Sequence, residues 1–96
     1  MAIQGFASQQ VERFFVDGQV PRRAGWGNVA SVARRKLDIL DYADSLSDLA
    51  SPPGNRLEAL KGNLAGFHSI RVNDQWRVIF RWTEAGPEAV DICDYH

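Results

Sequence analysis

Ninety-six residues with a formal net charge of −1 provide one core and no second domain, since domains cluster near roughly 100–150 residues. A hydrophobic fraction of 45%, with three Trp, two Tyr and five Phe, excludes the low-hydrophobicity composition of disordered chains. One Cys and two His exclude a disulfide framework and a Cys/His zinc cluster, and a reducing, cytoplasmic setting is expected.

Residues 3–6 (IQGF) are predicted as a short first strand. Ser8 can cap a helix in which Val11, Phe14 and Phe15 follow i, i+3, i+4 spacing, with its end at Asp17-Gly18. The segment 18–27 (GQVPRRAGWG) holds three Gly and one Pro and is predicted as a mobile loop. Its basic charge makes it a possible contact surface, with Arg22, Arg23 and Trp26 as the candidate contacts. Asn28 is the predicted cap of a second helix, whose Val29, Val32, Ala33, Leu37, Leu40 and Ala43 share a stripe while Arg34, Arg35, Asp38 and Asp41 fall elsewhere. Ser51-Pro52-Pro53-Gly54 then ends any helix, and the chain turns strand-like after it.

The clearest signal is the hairpin FHSIRVNDQWRVIFRW. One alternating set comprises His68, Ile70, Val72, Trp76, Val78, Phe80 and Trp82, and the other is polar and basic. A three-residue loop, Asn73-Asp74-Gln75, keeps apolar residues on one face, whereas a two-residue loop sets Arg71 opposite Trp76 and scrambles the faces. The three-residue register puts Arg71 beside Arg77, with Arg81 further along the same face. A last strand, Ala89 to Cys93, follows an Ala85-Gly86-Pro87 turn. Helices before a strand meander imply an α+β fold, with two helices on one face of a small antiparallel sheet and the other face open and basic.

No apolar run approaches the roughly 18–20 residues a membrane span needs, and the start, MAIQGFASQQVERFF, lacks the charged and apolar regions of a secretory leader. The near-neutral total hides segregation: residues 1–40 carry +3, 41–60 carry −3, 61–82 carry +3 and 83–96 carry −4. Two basic blocks alternate with two acidic ones, a pattern suited to partner binding.

Arg71 and Arg77 forced together destabilise the sheet unless an anion lies between them, and guanidinium forks match phosphate. The plainer alternative is a surface ion-pair network with Glu58 or Asp91. His96, beside Tyr95, can exchange a proton near neutral pH or simply fray as a terminal residue. Glu58 stands three residues before Lys61 and can act as a base or form a salt bridge. His68 and Cys93 read as structural, and no phosphate-binding Gly loop, HExxH, nucleophile elbow or CxxC is present.

PPGNRLEALKG, then GFHSIRVNDQWRVIFRW, then the terminal DYH resemble the HigB (host-inhibition-of-growth) branch of the RelE/ParE toxin superfamily, in the same order and essentially end to end. The resemblance implies a toxin of a type II toxin–antitoxin module: a ribosome-dependent, metal-independent endoribonuclease that cleaves mRNA by 2′-hydroxyl attack. It implies a HigA-type helix-turn-helix antitoxin as partner, with operator DNA bound through the complex. Position by position, Glu58 matches the base and Lys61 a neighbouring lysine, while Arg77 matches the arginine that stabilises the phosphorane. Arg71 matches a phosphate contact, with Arg81, Arg34 and Arg35 as further candidates for RNA, and Tyr95 and His96 match the pair that orients RNA and protonates the leaving 5′-oxygen. Some relatives have His in place of Glu58, so the identity of the base stays open. The pI near 6.0 departs from the strongly basic character common among ribosome-dependent nucleases. Two other classes stand beside this reading: a non-enzymatic ParE-type toxin that inhibits DNA gyrase by binding, and an inert regulatory partner.

Overall fold

In the computed structural model, which describes residues 2–94, the Ser8 hydroxyl accepts from the Val11 N–H at 3.3 Å and starts α1, Gln9–Asp17. Gly18, at φ 73°, closes α1 by donating its N–H to the Phe14 carbonyl at 2.9 Å, the left-handed stop that glycine adopts without a Cβ clash. α2, Ala30–Tyr42, begins one residue later than predicted. Asn28 is not its cap, because a 3-10 turn over Gly27–Val29 leads into it and no side chain caps the junction. Ala33, Leu37, Leu40 and Ala43 are buried as the stripe requires.

The segment 18–27 is corrected in its second half. Trp26 is only 5% exposed, its ring centroid 4.7 Å from that of Phe14. A Cβ on Gly25 would stand 2.4 Å from Cζ2 of Trp76, so backbone lies directly against an indole. Successive turns, Ala24 N–H to Pro21 O at 3.1 Å and Gly27 N–H to Ala24 O at 3.0 Å, fix the rest. Trp26 is thus a core residue and not a surface contact, while Arg22 and Arg23 remain exposed.

The sheet is four-stranded and antiparallel in the order β1 (Glu58–Ala59), β2 (His68–Arg71), β3 (Trp76–Thr83), β4 (Gly86–Asp94). The hairpin has the three-residue loop, with Arg71 paired to Arg77 and Ile70 to Val78. Asn73 decides it: its Oδ1 accepts from the N–H groups of Gln75 at 3.0 Å and Trp76 at 2.7 Å, an Asx turn that offers the loop backbone a local acceptor. β4 is longer than predicted. The chain reverses over Glu84-Ala85, and Gly86 and Pro87 already pair with Thr83 and Trp82. A bulge opposite Phe80 shifts the register, and Ala89 there takes φ 52°. Because of that extra residue, Glu88 falls beside Arg81 while Asp91 falls beside Ile79, so both carboxylates lie on one face. Residues 3–6 do not form a strand of this sheet: they run beside β4 with an isolated parallel bridge, Phe6 to Val90, and a few backbone hydrogen bonds, without a continuous ladder.

Ile70, Val72, Val78, Phe80, Val90 and Ile92 form the sheet side of the core, against Val11 and Phe14 of α1, Leu37 and Leu40 of α2, and Leu49. Each large side chain buried in such a core contributes about 1.5–3 kcal/mol. His68 lies on this side too, stacked on Phe80 at 6.2 Å, with its Nδ1 buried and without a hydrogen-bond partner. The observed two-layer α+β architecture is the expected one.

Candidate active site

The other face of the sheet carries the alternate residues: Glu58 on β1, Ser69 and Arg71 on β2, Arg77, Ile79 and Arg81 on β3, and Asp91 and Cys93 on β4. The apolar set draws α1 and α2 to the opposite side, while on this face Ser69 and Ile79 are themselves buried, and Arg71, Arg77, Asp91 and Cys93 are half-buried. At the centre is the row Arg71, Arg77, Cys93 across three strands. Neighbouring strands lie about 4.8 Å apart, so the two guanidinium groups are held within reach of a single anion.

Local partners keep the like charges in place. Arg71 donates from Nη2 to Oδ1 of Asp74 in the hairpin turn. Arg77 donates from Nη1 to the Asn73 carbonyl and to the Trp76 carbonyl at 3.1 Å. The Arg71 hydrogen bond and charge, followed by the charges of Arg77 and Arg56, hold the Asp74 carboxyl below its ordinary range. Three arginines therefore act on one carboxylate. The ion-pair alternative is met in kind for Arg71, but among the described residues its carboxylate is Asp74 and not Glu58 or Asp91.

Further along this face the side chains are committed differently. Arg81 is bound to Glu88, Nε to Oε2 at 3.2 Å, and lies over the Phe67 ring at 5.2 Å. Four residues of β3 separate it from Arg77, about 13 Å along the strand. Burial pushes the Asp91 carboxyl up. Burial, then the charges of Asp91 and Asp94, also raise the Cys93 thiol, leaving it protonated and poorly nucleophilic.

Glu58 sits on the edge strand with its Cα opposite Ser69, one residue pair from the Arg71 row, and its side chain is exposed. Leu60 extends the pairing through its N–H to the Phe67 carbonyl at 2.9 Å, and Lys61 follows, also exposed. Glu58, Arg71 and Arg77 are thus gathered on one face, with Lys61 just beyond its edge. Arg34 and Arg35 are not gathered there. They stand on α2 in the helix layer, where Arg34 pairs with Asp38 at 3.3 Å and lies 4.8 Å over the Phe15 ring. Arg22 lines a shallow hollow with Gln10, Arg13, Gln19 and Pro21, remote from this face of the sheet. Tyr95 and His96 lie outside the described residues. Asp94, which precedes them, accepts from Gln75 Nε2 at 2.9 Å beside the hairpin turn.

The support beneath Glu58 was not foreseen. Lys36 is 5% exposed and donates from Nζ to Oδ1 of fully buried Asn55 at 2.6 Å. Asn55 in turn donates to the carbonyls of Leu49 at 3.2 Å and Ser51 at 3.3 Å. Desolvation, then the charges of Arg35 and Arg71, lower the Lys36 ammonium below its ordinary value. This couple clamps the Pro53–Asn55 turn, from which Arg56 and Glu58 issue. The signal existed in sequence: Lys36 is three residues after Ala33 and four after Val32, on the apolar stripe itself.

The matching family model, described as the RelE-like toxin of the type II toxin–antitoxin system HigB, covers residues 4–96. The chain is 45% identical over 84 residues to Toxin HigB-1 of Vibrio cholerae, spanning 88% of this chain and 86% of the relative. It is 35% identical over 77 residues to an uncharacterized protein of Haemophilus influenzae, spanning 80% and 75%. Among solved structures it is similar to the YoeB–YefM complex from Staphylococcus aureus, with a TM-score of 0.59 at 20% identity over 100% of this chain and 97% of that one. It is also similar to a YoeB/ParE toxin from Agrobacterium tumefaciens, with a TM-score of 0.52 at 20% identity over 100% and 99%. At those identities the structures speak to the fold, and the family model and the Vibrio relative speak to descent: the chain belongs to the HigB family of RelE-like type II toxins.

Proposed function

We propose that this toxin is a ribosome-dependent, metal-independent endoribonuclease that cleaves mRNA in the cytoplasm. The observation that carries the reading is the Arg71–Arg77 pair on the sheet face away from α1 and α2, with a carboxylate, Glu58, on the neighbouring edge strand. In this mechanism the 2′-hydroxyl attacks the adjacent phosphate, the new O–P bond forms as the bond to the 5′-oxygen breaks, and a cyclic phosphate and a free 5′-hydroxyl result. Glu58 or Lys61 takes the 2′ proton. Arg77 faces the charge that develops on the phosphorane, Arg71 binds the phosphate, and His96 returns a proton to the leaving oxygen while Tyr95 orients the RNA. Preorganised cations at such a position contribute about 3 kcal/mol each to the transition state.

The toxin's partner in this reading is a HigA-type antitoxin, through which the complex binds operator DNA. Membership of a type II toxin–antitoxin family and the fold shared with YoeB, whose structure contains YefM, support a protein antitoxin. Toeprinting and RNA-end mapping of a defined message on purified ribosomes test the nuclease. Wild type should cut on intact ribosomes in magnesium buffer, and Arg77→Ala and His96→Ala should each slow cutting about 100-fold or more. Growth arrest by wild type without any cut would refute the reading.

A further inference from the structure

Asp74 sits at the tip of the hairpin turn with its side chain 99% exposed, yet it is bound to Arg71 and acted on by Arg77 and Arg56. Arg56 entered no prediction from sequence. The pairing of β1 with β2 runs Ala59 to His68 and Glu58 to Ser69, and Arg56 stands two residues before it, outside the ladder, at the end of the Pro53–Asn55 turn. Its charge, like those of Arg71 and Arg77, acts on Asp74, so three cations border the turn carboxylate. Arg56 closes the Pro53–Asn55 turn in a left-handed conformation, φ 47°, uncommon outside glycine, and Asn55 and Lys36 clamp that turn from within. A cation is thus held at this corner by buried structure.

We propose that Arg56, Arg71 and Arg77 form one phosphate cradle whose resident anion in the free toxin is the Asp74 carboxylate, so that RNA enters by displacing Asp74. The exchange is non-covalent: the Arg71–Asp74 bond breaks, a phosphate oxygen takes the donor, and the already exposed Asp74 carboxylate swings away from Arg71. The turn supplies a carboxylate of the same charge sign as the ligand, tethered three residues from the arginine it occupies. It stabilises the like-charged cluster when no RNA is present and competes with RNA when it is. Asp74 therefore sets the affinity of the site downward, and Arg56 is its third phosphate-binding residue.

This inference deepens the nuclease reading and rests on it for the identity of the ligand, so two assays keep them apart. The first titrates inorganic pyrophosphate into the free, full-length toxin, comparing wild type, Asp74→Asn, Arg56→Gln and Asp38→Asn. Asp38→Asn removes the same charge from the helix layer, where it pairs with Arg34. From the size of exposed ion pairs, Asp74→Asn should tighten binding about two- to fivefold, Arg56→Gln should weaken it, and Asp38→Asn should leave it unchanged. Equal effects of Asp74→Asn and Asp38→Asn, or no loss in Arg56→Gln, would overturn the cradle. Melting curves matching wild type confirm that each variant is folded. The second assay repeats mRNA cutting on ribosomes with the same variants. Faster cutting at limiting toxin in Asp74→Asn supports the cradle as the RNA site. Pyrophosphate effects as expected, with no cutting by wild type, would refute the nuclease and with it RNA as the ligand, leaving a cradle for another phosphorylated partner.

Discussion

Asn55→Leu should be among the most damaging single changes in this protein. The side chain is fully buried and makes three hydrogen bonds, one to the Lys36 ammonium and two to the Leu49 and Ser51 carbonyls. Loss of a bond to a charged group costs roughly 1.5–3 kcal/mol, and each neutral bond about 1 kcal/mol. The sum, about 4 kcal/mol, is a large share of the roughly 5–15 kcal/mol that holds a domain together. It should lower Tm by roughly 15–30 °C at this size. Leucine keeps the branching of asparagine at Cγ but is larger, so no cavity forms and any overpacking adds to the polar loss. Urea denaturation of wild type, Asn55→Leu, Lys36→Met and the double variant gives the coupling energy. The double variant should recover most of the charged term, because an unpaired buried ammonium is what makes the single change costly. A cost below about 1 kcal/mol for Asn55→Leu, or simple additivity in the cycle, would refute the reasoning. pH adds a second check. Since burial lowers the Lys36 proton affinity in the fold, the unfolded chain binds more protons between that lowered value and the ordinary 10.5. Its contribution to stability therefore rises with pH across that window, a rise that Lys36→Met should abolish.

Gly25→Ala places a methyl 2.4 Å from the Trp76 ring and should destabilise by about 1–3 kcal/mol, read from the same denaturation curves. Asp91 is raised by burial from 3.8, so the fold binds more protons than the unfolded chain above that value and loses stability as pH rises through the folded value. Asp91→Asn should then stabilise the protein at pH 7 and little at pH 3, a difference that paired urea curves would show. Cys93, raised by burial and by Asp91 and Asp94, should react with iodoacetamide at pH 7.5 more slowly than free cysteine, and faster in Asp91→Asn; mass spectrometry follows both. Breaking the exposed Arg81–Glu88 pair with Glu88→Gln should change stability by less than about 1 kcal/mol.

The hairpin was legible because two independent constraints agreed: alternation fixed the faces, and only a three-residue loop kept them consistent through Val72 and Trp76. The juxtaposed arginines followed from that register. Three other features were not legible. Trp26 sits in a stretch with three glycines whose composition says loop; nothing local reveals that its indole fills a gap beside Phe14, since that contact joins distant segments. The Lys36–Asn55 couple escaped because a lysine on an apolar stripe is ordinarily assumed to reach for solvent, and its acceptor lies 19 residues away. Asp74 escaped because a turn aspartate is so often explained by the turn. Asn73 holds that turn here, which leaves Asp74 for Arg71.

The earliest and latest described parts of this chain meet. Gln4 donates to the Pro87 carbonyl at 2.7 Å, Ala7 to Val90 at 2.9 Å and Val90 back to Gly5 at 3.1 Å, so residues 4–7 cover the exposed edge of β4. An uncovered strand edge recruits other chains, and here the cover is made more than eighty residues before the strand it protects. During synthesis the protecting segment must wait, unpaired, until β4 has left the exit tunnel. Contacts of such long sequence separation form late and slowly. Until then the edge of β4 is open to other chains. A change that removes residues 4–7 would leave that edge open in the finished fold as well and promote dimers joined at β4.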